Sequence, residues 1–413
     1  MLFYALILEK AFDSSTTVIK YSDYFTKRSV DYSDGSINCF TYDVFGNIVE
    51  AKNDYGIIRY EYDTGGKLIR QIEEATGEII NFEYDNAGNR IKLTGANREL
   101  CYTYGKNNEL KEIFDNKQRV RIKLEYDKNG REIVKKFDNG TKEETLYDKA
   151  GRVIVKLYKT ERGQLLWGEG YVYADEGKRI ASVNNSGNVT LYQYNNKGQL
   201  ESVFYPYSKE FYDKQKAEAE EHGLPVSNSA IENHVENQYL SSAVKAKLIP
   251  LMNSMQYGLS FELTNLQTFI KESYTYDKNG NRKNKITPFG TIEYTYDKEN
   301  CLLSSGSKGI AFIEYTYDKK GNLLSAVSEA KSIKYAYNSQ NRIISCEQLD
   351  KIKNTVSKTT YAYDSFGRRN LVQDEGCPTI RTIYDSLSFD VIKQSPVFFN
   401  GLFTVNGDDG INW

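Results

Sequence analysis

The sequence predicts an all-β fold, built from tandem β-hairpins and carrying one mainly helical insertion. Three observations predict it. A short unit of the form Tyr-x-Tyr-Asp-x-x-Gly recurs along most of the 413 residues. Tyr occurs 34 times against 19 Phe, an excess typical of half-buried sheet surfaces, where an apolar ring with a polar tip fits well. Between residues 206 and 271 the unit vanishes, and helix-forming sequence replaces it.

The repeating unit occurs in about fourteen copies, most of them spaced by about 20 to 22 residues, which is the length of one supersecondary unit. In the clearest copies, which begin at Tyr60, Tyr274, Tyr315 and Tyr361, both aromatic positions are Tyr; in the variants that begin at residues 40, 82 and 124, Phe or Leu replaces the first one. The predicted structural positions are the second Tyr, the Asp and the Gly of eight copies. They are Tyr42, Asp43, Gly46, Tyr62, Asp63, Gly66, Tyr84, Asp85, Gly88, Tyr126, Asp127, Gly130, Tyr147, Asp148, Gly151, Tyr276, Asp277, Gly280, Tyr317, Asp318, Gly321, Tyr363, Asp364 and Gly367.

Each position of the unit has a physical role. The two aromatic residues are two apart, so on a strand they point to the same face of the sheet. The Asp carboxylate can accept hydrogen bonds from backbone N–H groups just ahead and close a turn. The Gly supplies the positive φ that a tight reversal needs, and the Asn or Arg after it begins the return strand. The unit therefore predicts a hairpin, and stacked hairpins align their Tyr residues in rows, where cross-strand aromatic pairs contribute about 0.2–1 kcal/mol each.

The segment without repeats favours helix in three places. These are Lys209 to His222, stopped by Gly223 and Pro225, then Ser229 to Lys247, and finally Leu251 to Ile270. Two interpretations of the insertion stay open. It either carries a specific role, as the least repetitive part of the chain, or forms a structural helical cap over an exposed sheet edge.

The repeats and the gap divide the chain into five predicted segments. Residues 1–36 form an N-terminal segment or incomplete repeat, and residues 37–205 form the first part of the repeat array. Residues 206–271 are the insertion, residues 272–386 the second part of the array, and residues 387–413 a C-terminal tail.

Composition and motifs favour no enzyme class. The net charge of −2 comes from intermixed basic and acidic residues, whereas a nucleic-acid partner would require a clustered positive field. No apolar run is long enough to span a membrane. The two histidines, His222 and His234, lie twelve residues apart with no metal-ligand spacing around them, and the five cysteines form no Cys-x-x-Cys pair. Each repeat offers one carboxylate, which is a weak ligand set for Ca²⁺. We therefore predict no catalytic residue, no metal site and no cofactor.

The Tyr-Asp-x-x-Gly units resemble those of the bacterial Rhs/YD-repeat family, whose relatives include wall-associated proteins, toxin-complex shells and the shell domain of teneurins. The resemblance covers about residues 37–205 and 272–386. It implies a long β-ribbon that spirals into a hollow, shell-like structure. Shells of this family enclose a C-terminal toxin segment or serve in cell-surface adhesion, which implies a secreted or cell-surface location in a bacterium, although the first residues do not read as a signal peptide.

One part of the family pattern is missing. Many members carry a self-cleaving core with Asp-Pro sequences, but none of the six prolines here follows an Asp. Self-cleavage is therefore not expected, nor is a toxin domain after the repeats. The resemblance then implies a non-enzymatic scaffold that encloses or displays a co-encoded polypeptide. The alternative is a surface adhesin that binds a glycan or a protein receptor through the repeat turns.

Overall fold

The computed structural model is almost entirely antiparallel β-structure, as the sequence predicts. It contains 31 strands and two helices in the residues that it describes. The chain divides into two compact units. Unit 1 comprises residues 1–102, 115–118 and 315–413, and unit 2 comprises residues 103–114 and 119–314. The described residues are 5–10, 16–22, 26–206, 209–224, 242–255, 269–307, 312–388 and 390–397.

Unit 1 holds the first and the last hairpins of the chain, and within it β1 to β10 and β25 to β31 each pair antiparallel with the next strand. Strands thus occur on both sides of the predicted array limits at residues 37 and 386; the division into five segments stays a prediction. The strands that lie wholly or mostly in unit 1 are β1 Ala5–Lys10, β2 Thr16–Ser22, β3 Lys27–Tyr32, β4 Ile37–Tyr42, β5 Ile48–Asn53, β6 Gly56–Tyr62, β7 Leu68–Glu73, β8 Glu78–Tyr84, β9 Arg90–Gly95, β10 Arg98–Tyr104, β24 Ile313–Tyr317, β25 Leu323–Ser328, β26 Lys331–Tyr337, β27 Ile343–Asp350, β28 Thr355–Tyr363, β29 Arg369–Asp374, β30 Thr379–Tyr384 and β31 Val391–Val397.

Unit 2 holds the middle hairpins and both helices, and within it β12 to β23 again pair in chain order. Its elements are β11 Leu110–Asp115, β12 Val120–Tyr126, β13 Glu132–Phe137, β14 Lys142–Tyr147, β15 Val153–Lys159, β16 Leu165–Tyr173, β17 Arg179–Asn184, β18 Val189–Tyr194, β19 Leu200–Pro206, α1 Lys209–Glu221, α2 Ser242–Met255, β20 Phe269–Tyr276, β21 Arg282–Thr287, β22 Gly290–Tyr296 and β23 Leu302–Gly306.

The insertion leaves the β-ladder unbroken. Strands β19 and β20, which flank it, are direct partners, with Ser202 opposite Ser273 and Pro206 opposite Phe269. At the insertion, β19 and β20 therefore leave no free edge for a helical cap to cover.

The predicted helices of the insertion have different outcomes. Helix α1 confirms the prediction of a helix from Lys209, and it ends at Glu221. The predicted helix Ser229–Lys247 lies partly outside the described residues, which resume at 242 with α2. The helix predicted to end at Ile270 is wrong at residues 269 and 270, because these residues pair with β19.

Most hairpins carry a β-bulge just before the second Tyr. In β6, for example, Glu61 pairs with Arg70 but Tyr62 pairs with Leu68, so the return strand has one extra residue. Side-chain burial still alternates: Ile58 and Tyr60 are buried and Tyr62 is half-buried, and Tyr60 and Tyr62 join the same apolar cluster. In this hairpin the two aromatic positions therefore share a face, and the bulge bends the strand and increases its local twist.

Candidate functional site

The repeat turn is built from backbone and side-chain hydrogen bonds around one Asp. In the turn after β4, the N–H of Gly46 donates to the carbonyl of Asp43 at 3.1 Å. The Asp43 carboxylate accepts from the N–H groups of Phe45 and Asn47, each at 2.9 Å. The side-chain amide of Asn47 also donates to Asp43, and this bond is the largest reason that the pKa of Asp43 is lowered.

All eight predicted Asp–Gly pairs form this turn. In each, the Gly N–H donates to the Asp carbonyl, and φ of the Gly lies between +76° and +91°. That conformation is strained for any residue with a Cβ atom. The structure therefore assembles the predicted Asp and Gly positions as eight separate turns along the ladder and does not gather them into one pocket.

The residue after the turn Gly links one repeat to the next, a role that goes beyond starting the return strand. Arg152 donates from Nε to Asp148 at 2.7 Å within its own turn. The same guanidinium lies 4.7 Å from the ring centroid of Tyr173 and donates to the carbonyl of Ala174, both in the following repeat. Cation–π contacts of this kind contribute about 0.5–1 kcal/mol at exposed sites. The signal that could have revealed this link is the recurrence of Arg or Asn four residues after the Asp.

In ten of the units, the second Tyr fastens its repeat to the preceding one. Its hydroxyl donates to the backbone carbonyl of the first residue of an earlier return strand, as Tyr84 does to Leu68 at 2.8 Å. Phe has the same ring but cannot make this bond, which explains the Tyr excess. Among the described residues, the bond is made at 2.6–3.0 Å by Tyr62, Tyr84, Tyr147, Tyr173, Tyr194, Tyr276, Tyr296, Tyr337, Tyr363 and Tyr384.

We call the sheet face to which the two aromatic residues of a unit point the tyrosine face. Within unit 1, the last hairpins pack on the tyrosine face of the first ones. We call the contact between residues 34–96 and residues 338–397 the layer interface. Asn53 donates to the carbonyl of Tyr363 at 2.8 Å, and Gln71 donates to the carbonyl of Tyr384 at 3.0 Å. Phe366 adds an apolar contact: its ring lies edge-on to the rings of Phe40 (5.6 Å) and Tyr60 (6.2 Å). Hydrophobic and polar contacts therefore join hairpins that are about 300 residues apart in the sequence.

Two buried ion pairs lie in the layer interface. Arg368 donates from Nε to Asp364 at 2.7 Å, and its side chain is only 1% exposed. Arg381 lies 3.2 Å from Glu73, with side-chain exposures of 7% and 6%. Burial raises the pKa of Glu73 to about 7, even though the charge of Arg381 opposes the rise. These charges follow the rule that a buried charge needs a partner.

A polar cavity of about 400 Å³ also opens in unit 1, between the two sets of hairpins. Tyr55, Asn38 and Asp34 line one side of it, and Tyr361 and Arg342 line the other. The cavity therefore offers aromatic rings next to amide, carboxylate and guanidinium groups.

The two helices of unit 2 cover opposite faces of its sheet. Helix α2 buries Leu248 and Met252 against Val172 in β16. Val172 lies between two tyrosines of a repeat unit in the sequence, so it points away from their face. Helix α1 instead buries Tyr212 against Ile270 in β20. Ile270 lies four residues before Tyr274 on the same strand, so the two side chains point to the same face, which is the tyrosine face. The insertion thus packs on both sides of the ladder.

Within the described part of the chain, no group of three or more His, Cys, Asp or Glu is arranged to hold a metal ion. The five cysteines are free. Of the helices that the structure describes, none has the length and apolar character needed to cross a bilayer.

Comparison with known proteins places part of the chain in a family. A family model described as the teneurin YD-shell matches residues 252–388. No curated protein matches the chain.

Among solved structures, one similar to the chain is the crystal structure of TcdB2-TccC3-Cdc42, at 13% identity over 95% of this chain and 22% of that chain, with a TM-score of 0.48. Another is the Tc holotoxin pore of Photorhabdus luminescens, at 12% identity over 95% of this chain and 24% of that chain, with a TM-score of 0.39. The chain thus spans about a quarter of the length of these chains. The family match confirms the predicted resemblance over residues 252–388, which match the teneurin YD-shell family.

Proposed function

We propose that this chain is a non-enzymatic structural scaffold, a stretch of YD-repeat shell wall that encloses or displays another polypeptide, such as a toxin segment. The observation that carries the proposal is the fastening of repeat to repeat. In ten repeats the hydroxyl of the second Tyr reaches back to an earlier return strand, and cations such as Arg152 reach forward to the following turn. This repeated linkage suits a continuous wall, because it fastens neighbouring hairpins to each other. The match of residues 252–388 to a shell family supports the same proposal.

The layer interface and the insertion fit this function. A wall that holds a guest must resist local opening, and buried contacts between hairpins distant in sequence raise the free energy of such opening. The insertion covers both faces of the unit 2 sheet, so it alters the wall on each side without interrupting the ladder. We expect the scaffold to act outside the cytoplasm of a bacterium, at the cell surface or after secretion, with a co-encoded polypeptide as its guest.

The proposal is tested by protease protection. The chain is co-expressed with the polypeptide encoded beside it, the two are purified through a tag on the chain, and the digestion of the polypeptide is followed over time. Digestion is expected to be about tenfold slower with the chain than without it, because enclosure removes the guest from the protease. A variant with Arg368→Met, which loosens the layer interface, should protect less. Equal digestion rates with and without the chain would contradict the proposal.

The cavity in unit 1 favours one second candidate, an adhesin that binds a glycan. Stacking of a sugar on an aromatic face beside hydrogen-bonding side chains suits the residues that line it, notably Tyr361 and Asn38. The hydrogen bonds from Ser36 and Ser339 outweigh burial and lower the pKa of Asp34 to about 2, so its carboxylate is ionised beside the cavity. A glycan array probed with the wild type and with Tyr361→Ala tests this candidate. Binding that the substitution abolishes would support it, and an array without any hit would remove it.

A further inference from the structure

A buried polar cluster lies under helix α1 in unit 2. It contains Gln215 from α1, Glu272 from β20 and Lys285 from β21, which are 3%, 4% and 7% exposed. Gln215 donates from its side-chain amide to Oε1 of Glu272, and Lys285 Nζ lies 3.2 Å from that same oxygen. Tyr274 donates from its hydroxyl to the other carboxylate oxygen. One carboxylate therefore touches both a primary amine and a carboxamide.

An apolar cluster lies on the same face of the sheet as this polar cluster. Tyr212 and Phe289 pack with their ring centroids 5.1 Å apart, and Ile270, Ile292 and Leu224 complete the same apolar cluster. The carbonyl oxygen of Gln215 has no hydrogen-bond partner among the described residues. A buried carboxamide that is only half satisfied is an unfavourable arrangement unless chemistry or a bound molecule uses it.

We propose that Lys285 and Gln215 form an intramolecular isopeptide bond, with Glu272 as the general acid and base. Both reacting groups lie within hydrogen-bond reach of one oxygen atom, so they are separated by less than about 6 Å, a gap that the flexible lysine stem can cross. Held side by side in this way, the two groups gain the advantage of an intramolecular reaction.

The reaction balances without any oxidant or cofactor. Glu272 takes a proton from the Lys285 ammonium, and the free amine attacks the side-chain carbonyl carbon of Gln215. The protonated Glu272 gives its proton to the amide nitrogen, then takes the second proton from the attacking nitrogen and passes it to the departing ammonia. The C–N bond of the carboxamide breaks, a new C–N bond to Lys285 remains, and one ammonium ion leaves. The carboxylate of Glu272 is regenerated.

The starting charges set the pH dependence of this step. Burial lowers the pKa of Lys285, but its bonds to Glu218 and Glu272 more than compensate and leave the pKa raised, so the amine begins protonated. Loss of that proton must precede attack, because only the neutral amine is a nucleophile. Because the pKa is raised, this deprotonation is unfavourable at neutral pH, and we expect it to limit the rate of the reaction. The partly exposed side chain of Glu218 accepts a hydrogen bond from Lys285 Nζ at 2.7 Å and so orients the lysine.

The bond would fix helix α1 covalently to the tyrosine face of the sheet. Gln215 is on the helix and Lys285 is on the second strand after the insertion, so the crosslink would join residues that are 70 positions apart in the sequence. This inference does not depend on the proposed shell function, because it concerns the chain alone.

The test is the intact mass of the purified full chain, measured under denaturing conditions beside a Lys285→Arg variant expressed in the same way. Arg keeps the charge at the site but cannot form the bond. The wild type is expected to weigh less than its sequence mass by one ammonia, whereas the variant keeps its full sequence mass. A Glu272→Gln variant, which keeps the size of the side chain, should also keep its full mass.

Peptide mapping of the wild type provides a measurement that needs no variant. Protease digestion is expected to yield one branched peptide that joins the sequences around Lys285 and Gln215. The loss of ammonia should be faster at higher pH, as deprotonation of the lysine requires. A wild-type mass equal to the sequence mass after prolonged incubation at mildly alkaline pH, with both peptides recovered separately, would overturn the inference.

Discussion

Replacing Arg368 with methionine tests whether the layer interface stabilises unit 1. The chain supplies a matched control in Arg131, which occupies the same position of another repeat. Both arginines donate from Nε to the Asp four residues earlier at 2.7 Å. Both also lie over the Tyr ring of the following repeat, at 4.8 Å and 4.6 Å. The side chain of Arg368 is 1% exposed and that of Arg131 is 29% exposed, so burial is the main difference between them.

The magnitudes follow from this difference in burial. Arg368→Met leaves the buried carboxylate of Asp364 without its cation and removes the donor to the carbonyls of Ser386 and Ser388. Breaking a buried ion pair by removing one partner costs about 3–5 kcal/mol. Arg131→Met breaks a partly exposed pair, for which about 0–1 kcal/mol is expected. The two variants should therefore differ by about 3 kcal/mol in the free energy of unfolding.

Urea unfolding followed by circular dichroism measures this difference. With an m value of about 2–3 kcal/mol/M, the midpoint for Arg368→Met should fall by about 1–2 M relative to the wild type, and that for Arg131→Met by less than about 0.5 M. Replacing Asp364 with Asn in the Arg368→Met background should recover part of the loss, because it removes the uncompensated charge. Equal losses for the two single variants would refute the reasoning, since they would show that the layer interface adds nothing to the local turn contact.

Three further predictions concern other contacts. Tyr84→Phe removes the hydroxyl that binds the carbonyl of Leu68 and should lower the free energy of unfolding by about 0.5–1.5 kcal/mol; an unchanged urea midpoint would mean that the hydroxyl does not select Tyr over Phe. Leu248→Ala should lower the free energy of unfolding by about 2–5 kcal/mol, because Leu248 of α2 is fully buried against the sheet, and limited proteolysis should then cut first in α2. Glu73 has a folded-state pKa of about 7 against an ordinary 4.5, so its contribution to stability is full below about pH 4.5 and is lost as the pH rises to 7. Between about pH 5 and pH 8 the wild type should therefore lose about 2–3 kcal/mol relative to Glu73→Gln, and parallel pH profiles for the two proteins would contradict the assignment.

The hairpin turns could be predicted from sequence because all their partners are local. In the turn at Asp127, the carboxylate, the N–H groups it accepts from and the positive-φ Gly130 lie within five consecutive residues. A repeated local pattern therefore identifies the turn in every copy. The same reasoning identified helix α1, which the Gly and Pro after it delimit in the sequence.

The links between repeats were not predicted, although a signal for them exists. The sequence suggested only that the residue after the Gly starts a strand. In the structure, Arg152 joins its own Asp148 to the ring of Tyr173, 21 residues further along the chain. A side chain that contacts two repeats can be recognised only when equivalent positions of several copies are compared.

The layer interface could not be predicted from sequence at all. Arg368 and Arg131 stand at the same position of the same motif, yet only one of them is buried. Asn53 and Tyr363 meet across 310 residues, and nothing in either repeat marks them as partners. Repetition makes each hairpin easy to identify, and for the same reason it hides which hairpins contact each other.

The insertion shows how such a ladder can acquire new parts. A hairpin requires only that its two strands pair, and β19 and β20 pair as closely as neighbours joined by a short turn. The free energy lost in closing a loop rises slowly with its length, by about 0.6 kcal/mol for each doubling. A connection of about 60 residues therefore costs only about 2 kcal/mol more than a short turn. Two faces are then available for packing, and α1 and α2 take one each. A hairpin end is therefore the position at which this kind of wall can gain helices, or a covalent link such as that proposed between Lys285 and Gln215, while every strand keeps its neighbours.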